Sequence, residues 1–181
     1  MWRWMAAVVI YFVAGFFVWR RMREEYEEEE IAKLIMIFGA AVFVGAAGAR
    51  TWGAAGAGLV AMGWWCRRKD WNFWEWLDTA GPVGLAAGVF VTLNWVWSAG
   101  IAGVWAVGRW YRRWKWYKSG RPGLVGLVAI LFLALGETMV ANRVDYNLYL
   151  GVWAAVAVLV AIYLRSEVKL ITKWRKQIEK A

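Results

Sequence analysis

The chain has 181 residues and a net charge of +9, and 62% of its residues are apolar. It contains no histidine and one cysteine, Cys66. Catalysis by histidine, metal sites with histidine ligands, cysteine-cluster zinc sites and intramolecular disulfides are therefore excluded. No metal and no cofactor are expected.

The apolar content exceeds that of a soluble domain, which is usually about 45–50%. The chain also has 17 tryptophans, most of them at the ends of apolar runs, and indole rings favour the boundary between hydrocarbon and headgroups. The positive charge fits an anionic lipid surface better than nucleic acid in so apolar a chain. The composition predicts an all-α integral membrane protein.

The first predicted span covers residues 4–19 and stops at a basic cluster, residues 20–23. A signal peptide is disfavoured, because the run ends in large aromatic residues where a cleavage site needs small ones. The acidic run 24–30 is interpreted as a solvated connection. Spans 31–49 and 51–66 follow, and their many Gly and Ala residues predict close packing between helices.

The region 79–108 contains 30 uncharged residues. This is too long for one upright span of about 20 residues and too short for two spans of full length. Residues 71–78, just before it, are interpreted as an interfacial segment. One crossing gives six spans, with eight basic residues on one side and fourteen on the other. Two crossings give seven spans, with only Arg3, Arg50 and Arg143 on one side and nineteen basic residues opposite. The positive-inside rule favours seven spans, with the N-terminus outside and the C-terminus in the cytoplasm.

The last four spans are predicted at 79–95, 98–114, 124–141 and 148–164, with an outer turn near residues 94–99. Residues 1–164 then form a polytopic transmembrane domain. Residues 165–181 form a basic amphipathic tail on the cytoplasmic leaflet. The mixed aromatic and basic block 109–118 resembles a binding surface for single-stranded nucleic acid, but its place at a membrane boundary favours an aromatic belt. No nucleic-acid partner is predicted.

Polar residues within spans are costly in lipid and are therefore functional candidates. Arg50 could hold a lipid phosphate through paired hydrogen bonds or snorkel at a helix end. Glu137 in the sixth span is expected to be neutral or to pair with a cation such as Arg50 or Arg143. Thr92 and Asn94, near the outer turn, could bind a headgroup or join helices.

Six short segments occur in a notable order: Arg3-Trp4, Gly48-Ala49-Arg50, Gly56 to Val60, Asp78 to Pro82 with Gly84-Leu85-Ala86, Gly88 to Asn94, and Arg121-Pro122-Gly123. In this order they resemble motifs of the prolipoprotein diacylglyceryl transferase family, and the similarity extends over most of the chain. The resemblance implies a protein of the bacterial inner membrane with seven spans. It also implies transfer of a diacylglyceryl group from phosphatidylglycerol to the cysteine of a lipoprotein precursor.

Transfer to a thiol needs a group that accepts the proton and a cation that holds the phosphate of the leaving group. Arg50 matches a family position and is assigned to the phosphate. Asn94 and Thr92 are assigned to binding the headgroup. Glu137 is predicted as the catalytic proton acceptor, although the family supplies no counterpart for it.

The chain departs from the family in ways that bear on activity. Residues 53–56 replace the stretch with the family's histidine, and the arginine of the signature motif is Val89. Thr92 replaces an asparagine, Met5 replaces a tyrosine, and a short turn replaces the outer domain. The alternative function is a non-catalytic membrane scaffold that binds lipid or a partner protein. A partner membrane subunit that supplies the missing groups is also left open.

Overall fold

The structure, a computed structural model, describes residues 2–92, 95–114, 117, 121–140 and 146–166. These residues form helices and no strand. The helices are α1 (Trp2–Met22), α2 (Glu28–Arg68), α3 (Phe73–Thr92), α4 (Trp95–Trp110), α5 (Leu124–Val140) and α6 (Tyr146–Arg165), with a 3-10 turn at Tyr111–Arg113. The all-α part of the prediction is confirmed.

Helix α2 folds back on itself. In a straight helix, residues 30 and 69 would lie about 58 Å apart along the axis, yet Lys69 Nζ is 2.8 Å from Glu30 Oε2. A Cβ placed on Gly58 would lie 2.8 Å from the Phe38 ring. The chain therefore reverses near residues 48–50, and α2 consists of two antiparallel limbs, Glu28–Ala47 and residues 51–68. These limbs correspond to the second and third predicted spans.

Two further helix pairs are antiparallel. Gly88 on α3 lies against the Trp97 ring on α4, and Gly100 lies against Leu85. On α6, Gly151 lies against Thr138 near the end of α5, while Arg165 reaches back to Pro122 just before α5 begins. Region 79–108 therefore contains two helices, as the charge distribution predicted, and α5 packs against α3, α4 and α6.

The predicted boundaries need two corrections. Residues 95–99, expected in a turn, belong to α4, which begins at Trp95. The interfacial segment 71–78 is also not separate from the fourth span, since α3 begins at Phe73 and runs on without interruption. The amphipathic tail predicted at 165–181 lies outside the described residues beyond 166.

Small residues allow α3 and α5 to cross closely. A Cβ on Gly81 would lie 2.9 Å from Gly126 Cα, and a Cβ on Gly126 would clash with the Leu77 backbone. Large buried side chains surround this crossing, among them Trp76, Leu77, Leu85 and Leu127. The crossing fixes the start of α5 beside Asp78.

Two helical segments in the described part of the chain are long and apolar enough to cross a bilayer, Glu28–Ala47 and Leu148–Arg165. Only 17% and 11% of the residues in their apolar windows are buried. The helical segment Leu124–Met139 is apolar but shorter. Low burial distinguishes the two longer segments from the core helix of a soluble domain.

Candidate functional site

Charge is distributed unevenly between the two ends of the helical bundle. One end, called the Asp78 end below, contains the end of α1, both ends of α2, and the starts of α3 and α5. The opposite end, called the Glu137 end, contains Glu137 together with the backbones of Arg3 and Arg50. All other charged residues that the structure describes lie toward the Asp78 end. An isolated carboxylate within an apolar helix is therefore the main polar feature of the Glu137 end.

Glu137 contacts the point where α2 reverses. It is half-buried on α5, and its carboxylate accepts a hydrogen bond from the Thr51 hydroxyl. Arg50 directly precedes Thr51, so the backbone of Arg50 lies beside this contact. Two of the predicted site residues, Glu137 and Arg50, are thus brought to one place by the hairpin in α2 and the end of α5.

Trp52 supplies a further polar atom at the Glu137 end. Its ring packs toward α6, where a Cβ on Gly151 would lie 3.4 Å from Trp52 Cζ2. Trp52 Nε1 is buried and forms no hydrogen bond within the described part of the chain. Buried donors are normally satisfied, so this indole N–H is an unpartnered polar atom in the interior of the described part of the bundle. Trp52 could not be singled out from the sequence, because nothing in the pattern distinguishes it from the other tryptophans among the 17.

The other predicted binding residues are placed only in part. Thr92 is the last residue of α3 and so belongs to the Glu137 end. The side chains of Thr92 and Arg50 lie outside the described residues, and so does all of Asn94. Nearby, Trp97 Nε1 donates a hydrogen bond to the Leu133 carbonyl at 3.2 Å and joins the start of α4 to α5.

The Asp78 end contains a polar cluster of a different kind. Asp78 Oδ2 accepts a hydrogen bond from the Gly123 N–H at 2.6 Å, and Oδ1 accepts one from the Gly126 N–H at 2.8 Å. Gly123 directly precedes α5 and Gly126 lies in its first turn, where backbone N–H groups lack partners within the helix. A carboxylate there also interacts favourably with the helix dipole. Asp78 therefore caps α5 from the neighbouring helix α3.

Arg165 completes this cluster from the end of α6. Its guanidinium lies 3.8 Å from the centre of the Trp74 ring, and Nη2 donates a hydrogen bond to the Pro122 carbonyl at 2.5 Å. Its charge also attracts the Asp78 carboxylate. Every polar contact here joins one helix end to another, so the cluster fastens the bundle.

Two of the segments that carry the family resemblance meet in this cluster. Asp78 begins one segment, and Arg121-Pro122-Gly123 is the other. Gly123 has φ +113°, a value that favours glycine, and a Cβ there would lie 2.6 Å from the Trp74 ring. The structure thus assigns both segments a role in joining α3 to α5.

A metal centre is not formed by the described residues, in which no group of three or more Cys, Asp or Glu side chains could hold an ion. Cys66 is 1% exposed, and it lies at the Asp78 end, away from Glu137. The arrangement around Glu137 places a single carboxylate beside the Thr51 hydroxyl, and a carboxylate can accept a proton. A scan against protein-family models and searches of curated proteins and of solved structures found no match to this chain.

Proposed function

We propose that this chain is a bacterial inner-membrane protein with seven spans that binds phosphatidylglycerol at the Glu137 end. In this proposal the N-terminus and the Glu137 end face the outside, and the Asp78 end faces the cytoplasm. The single observation that carries the site is the Glu137–Thr51 hydrogen bond beside Arg50. The concentration of charge at the opposite end supports the orientation.

The surface of the bundle supports the membrane part of the proposal. Twenty-five large apolar side chains of the described chain are exposed, including Phe12 (67%), Val44 (75%) and Trp153 (70%). Monomeric soluble proteins rarely expose contiguous apolar patches larger than a few hundred Å². A hydrocarbon environment accounts for these faces on α1, α2 and α6 together.

The chemistry of the Glu137 end supports an anionic, hydroxylated headgroup. Arg50 can bind a phosphodiester through paired hydrogen bonds. The Glu137 carboxylate can accept hydrogen bonds from the glycerol hydroxyls of phosphatidylglycerol. The Thr51 hydroxyl lies beside the Glu137 carboxylate and can donate to it.

Diacylglyceryl transfer is the second candidate, favoured by the closeness of a possible base to the turn that carries Arg50. In that reaction a cysteine thiol gives its proton to Glu137, and the sulfur attacks the diacylglyceryl carbon that bears the phosphate. The C–S bond forms and the C–O bond breaks. Glycerol phosphate then leaves with the bonding electron pair, and Arg50 stabilises its charge.

The test uses the full-length protein in bilayers that contain phosphatidylglycerol, with mass spectrometry of retained lipid and of a lipobox peptide. Arg50→Ala is expected to weaken phosphatidylglycerol binding about tenfold or more, the usual cost of losing hydrogen bonds to a charged group. Glu137→Gln is expected to reduce the preference for phosphatidylglycerol over phosphatidylcholine. Arg67→Ala and Glu28→Gln remove the same charges at the opposite end and are expected to leave binding unchanged.

The peptide distinguishes the two candidates. A diacylglyceryl adduct that disappears in Glu137→Gln would establish the transferase. Retained lipid without an adduct would establish the non-catalytic alternative, a scaffold that binds lipid or a partner protein. Equal binding of phosphatidylglycerol by the unmodified protein, Arg50→Ala and Glu137→Gln would overturn the proposed site.

A further inference from the structure

A shallow recess, open to the surface and formed by exposed side chains at the end of α1, lies apart from the Glu137 end. It has a volume of about 260 Å³ and is lined by Phe17, Arg20, Arg21 and Glu24. These positions follow the spacing i, i+3, i+4, i+7, which places them on one face of a helical path. Small-molecule pockets usually start at about 300 Å³, so the recess fits a headgroup better than a whole ligand.

The two arginines in the recess are available for binding. Neither Arg20 nor Arg21 forms an ion pair with any residue that the structure describes. Their neighbour Arg23 is engaged differently, because its guanidinium lies over the Trp19 ring at 5.1 Å. Two adjacent guanidinium groups can surround a phosphate with several N–H donors.

The recess continues an apolar surface. Val9, Val13, Phe16 and Phe17 are all more than half exposed on α1, and the face that includes Val13 and Phe17 leads directly to Arg20 and Arg21. An acyl chain can lie along this face while the phosphate of the same molecule reaches the arginines. A free phosphate ion would leave the apolar part of this surface uncovered.

The charge of the recess indicates which headgroup it fits. Two arginines and Glu24 give a net charge of +1, which matches a phosphodiester with one negative charge. The Glu24 carboxylate can accept hydrogen bonds from headgroup hydroxyls. A choline headgroup offers no N–H or O–H to Glu24 and carries no net charge.

We propose that Phe17, Arg20, Arg21 and Glu24 form a second lipid site, which binds an anionic phospholipid of the leaflet at the Asp78 end. The inference rests on the membrane embedding proposed above but not on the chemistry at Glu137. The site holds the end of α1 at the membrane surface, next to the acidic connection to α2.

The test measures phosphatidylglycerol bound to the full-length protein in nanodiscs of phosphatidylcholine doped with phosphatidylglycerol. Arg20→Gln/Arg21→Gln is expected to weaken association about fivefold per arginine, the usual effect of one basic residue near an anionic surface. Arg67→Gln/Arg68→Gln removes the same charge at the same end of the bundle, outside the recess, and is expected to change association much less. Soluble glycerol phosphate and inorganic phosphate are added as competitors.

If both double variants weaken phosphatidylglycerol binding equally, the proposed lipid site in the recess is wrong, because the effect then comes from overall charge. Full competition by inorganic phosphate would also overturn it and would indicate a site for free phosphate. Glu137→Gln separates the two sites. If Glu137→Gln weakens binding and Arg20→Gln/Arg21→Gln does not, the site at Glu137 stands and the recess is wrong.

Discussion

Individual polar side chains in this protein act mainly where one helix end meets another. Asp78 shows this most clearly, because it caps α5 from α3 with two hydrogen bonds of 2.6 and 2.8 Å. Tyr26, in the connection between α1 and α2, similarly donates a hydrogen bond to Glu75 on α3 at 2.9 Å. Its ring contacts Trp71 and Trp76, which stack on each other. Such contacts hold the helix ends together at the Asp78 end.

Tyr26 gives a prediction about pH. Burial, together with the hydrogen bond to Glu75, raises the pKa of Tyr26 to about 12. In the unfolded chain the phenol ionises near pH 10. The contribution of Tyr26 to stability is therefore complete below about pH 10 and is lost as the pH rises to about 12. The difference in tyrosinate absorbance between the unmodified protein and Tyr26→Phe should show a midpoint near pH 12.

Glu75→Gln provides the control for this titration. Removing the carboxylate takes away the charge that opposes ionisation of Tyr26, so the midpoint should fall toward pH 10. A midpoint near pH 10 in the unmodified protein would contradict the contact between Tyr26 and Glu75.

The sequence predicted polar residues better than it predicted their partners. Glu137 could be selected because a carboxylate in an apolar run is costly. Its neighbour Thr51 could not be selected from the sequence, because the contact depends on where α2 reverses. Likewise, Asp78 and Gly123 are 45 positions apart, and the crossing that joins them depends on the glycines at positions 81 and 126.

Between helices, the positions of glycine determine which backbone surfaces can pack closely against each other. The two limbs of α2 come closest at Gly45, where a Cβ would clash with the Gly53 carbonyl and lie 2.8 Å from Ala57 Cβ. Small residues at such positions allow the close backbone packing typical of membrane helices. The glycine-rich composition indicated this packing before the structure did, but it did not indicate which glycine is in contact.

Substitution of two glycines tests the hairpin in α2. Gly45→Ala should lower the free energy of unfolding by about 1–3 kcal/mol, the usual cost of overpacking. Gly56→Ala is the matched control, since a Cβ there meets nothing within 4 Å. It should be neutral or stabilising by up to about 1 kcal/mol, because alanine favours helix more than glycine does. Unfolding in detergent, followed by circular dichroism, measures both.

A Gly45→Ala variant that is as stable as Gly56→Ala, or more stable, would contradict the hairpin. If α2 were one straight helix, positions 45 and 56 would both lie on its surface. Both substitutions would then have similar effects.

At the scale of the whole molecule, apolar surface and charge are separated. The sides of the bundle expose large apolar residues, and nearly all described charges lie at the Asp78 end. The presence of two helices in the uncharged region 79–108 could be predicted from the sequence, because its length and the neighbouring basic clusters limit the possible arrangements. The start of α4 at Trp95 could not be predicted, since tryptophans at positions 95 and 97 fit a turn at the interface as well as a helix.

Cysteine labelling can test the proposed orientation of seven spans. In a Cys66→Ser background, single cysteines at Glu27, Asn94 and Ser166 are treated with an impermeant maleimide in intact cells or right-side-out vesicles. The account predicts labelling at position 94 before permeabilisation, and at positions 27 and 166 only afterwards. Labelling of 27 and 166 from opposite sides would contradict seven spans, and labelling of all three in a protein extracted without detergent would contradict the membrane fold.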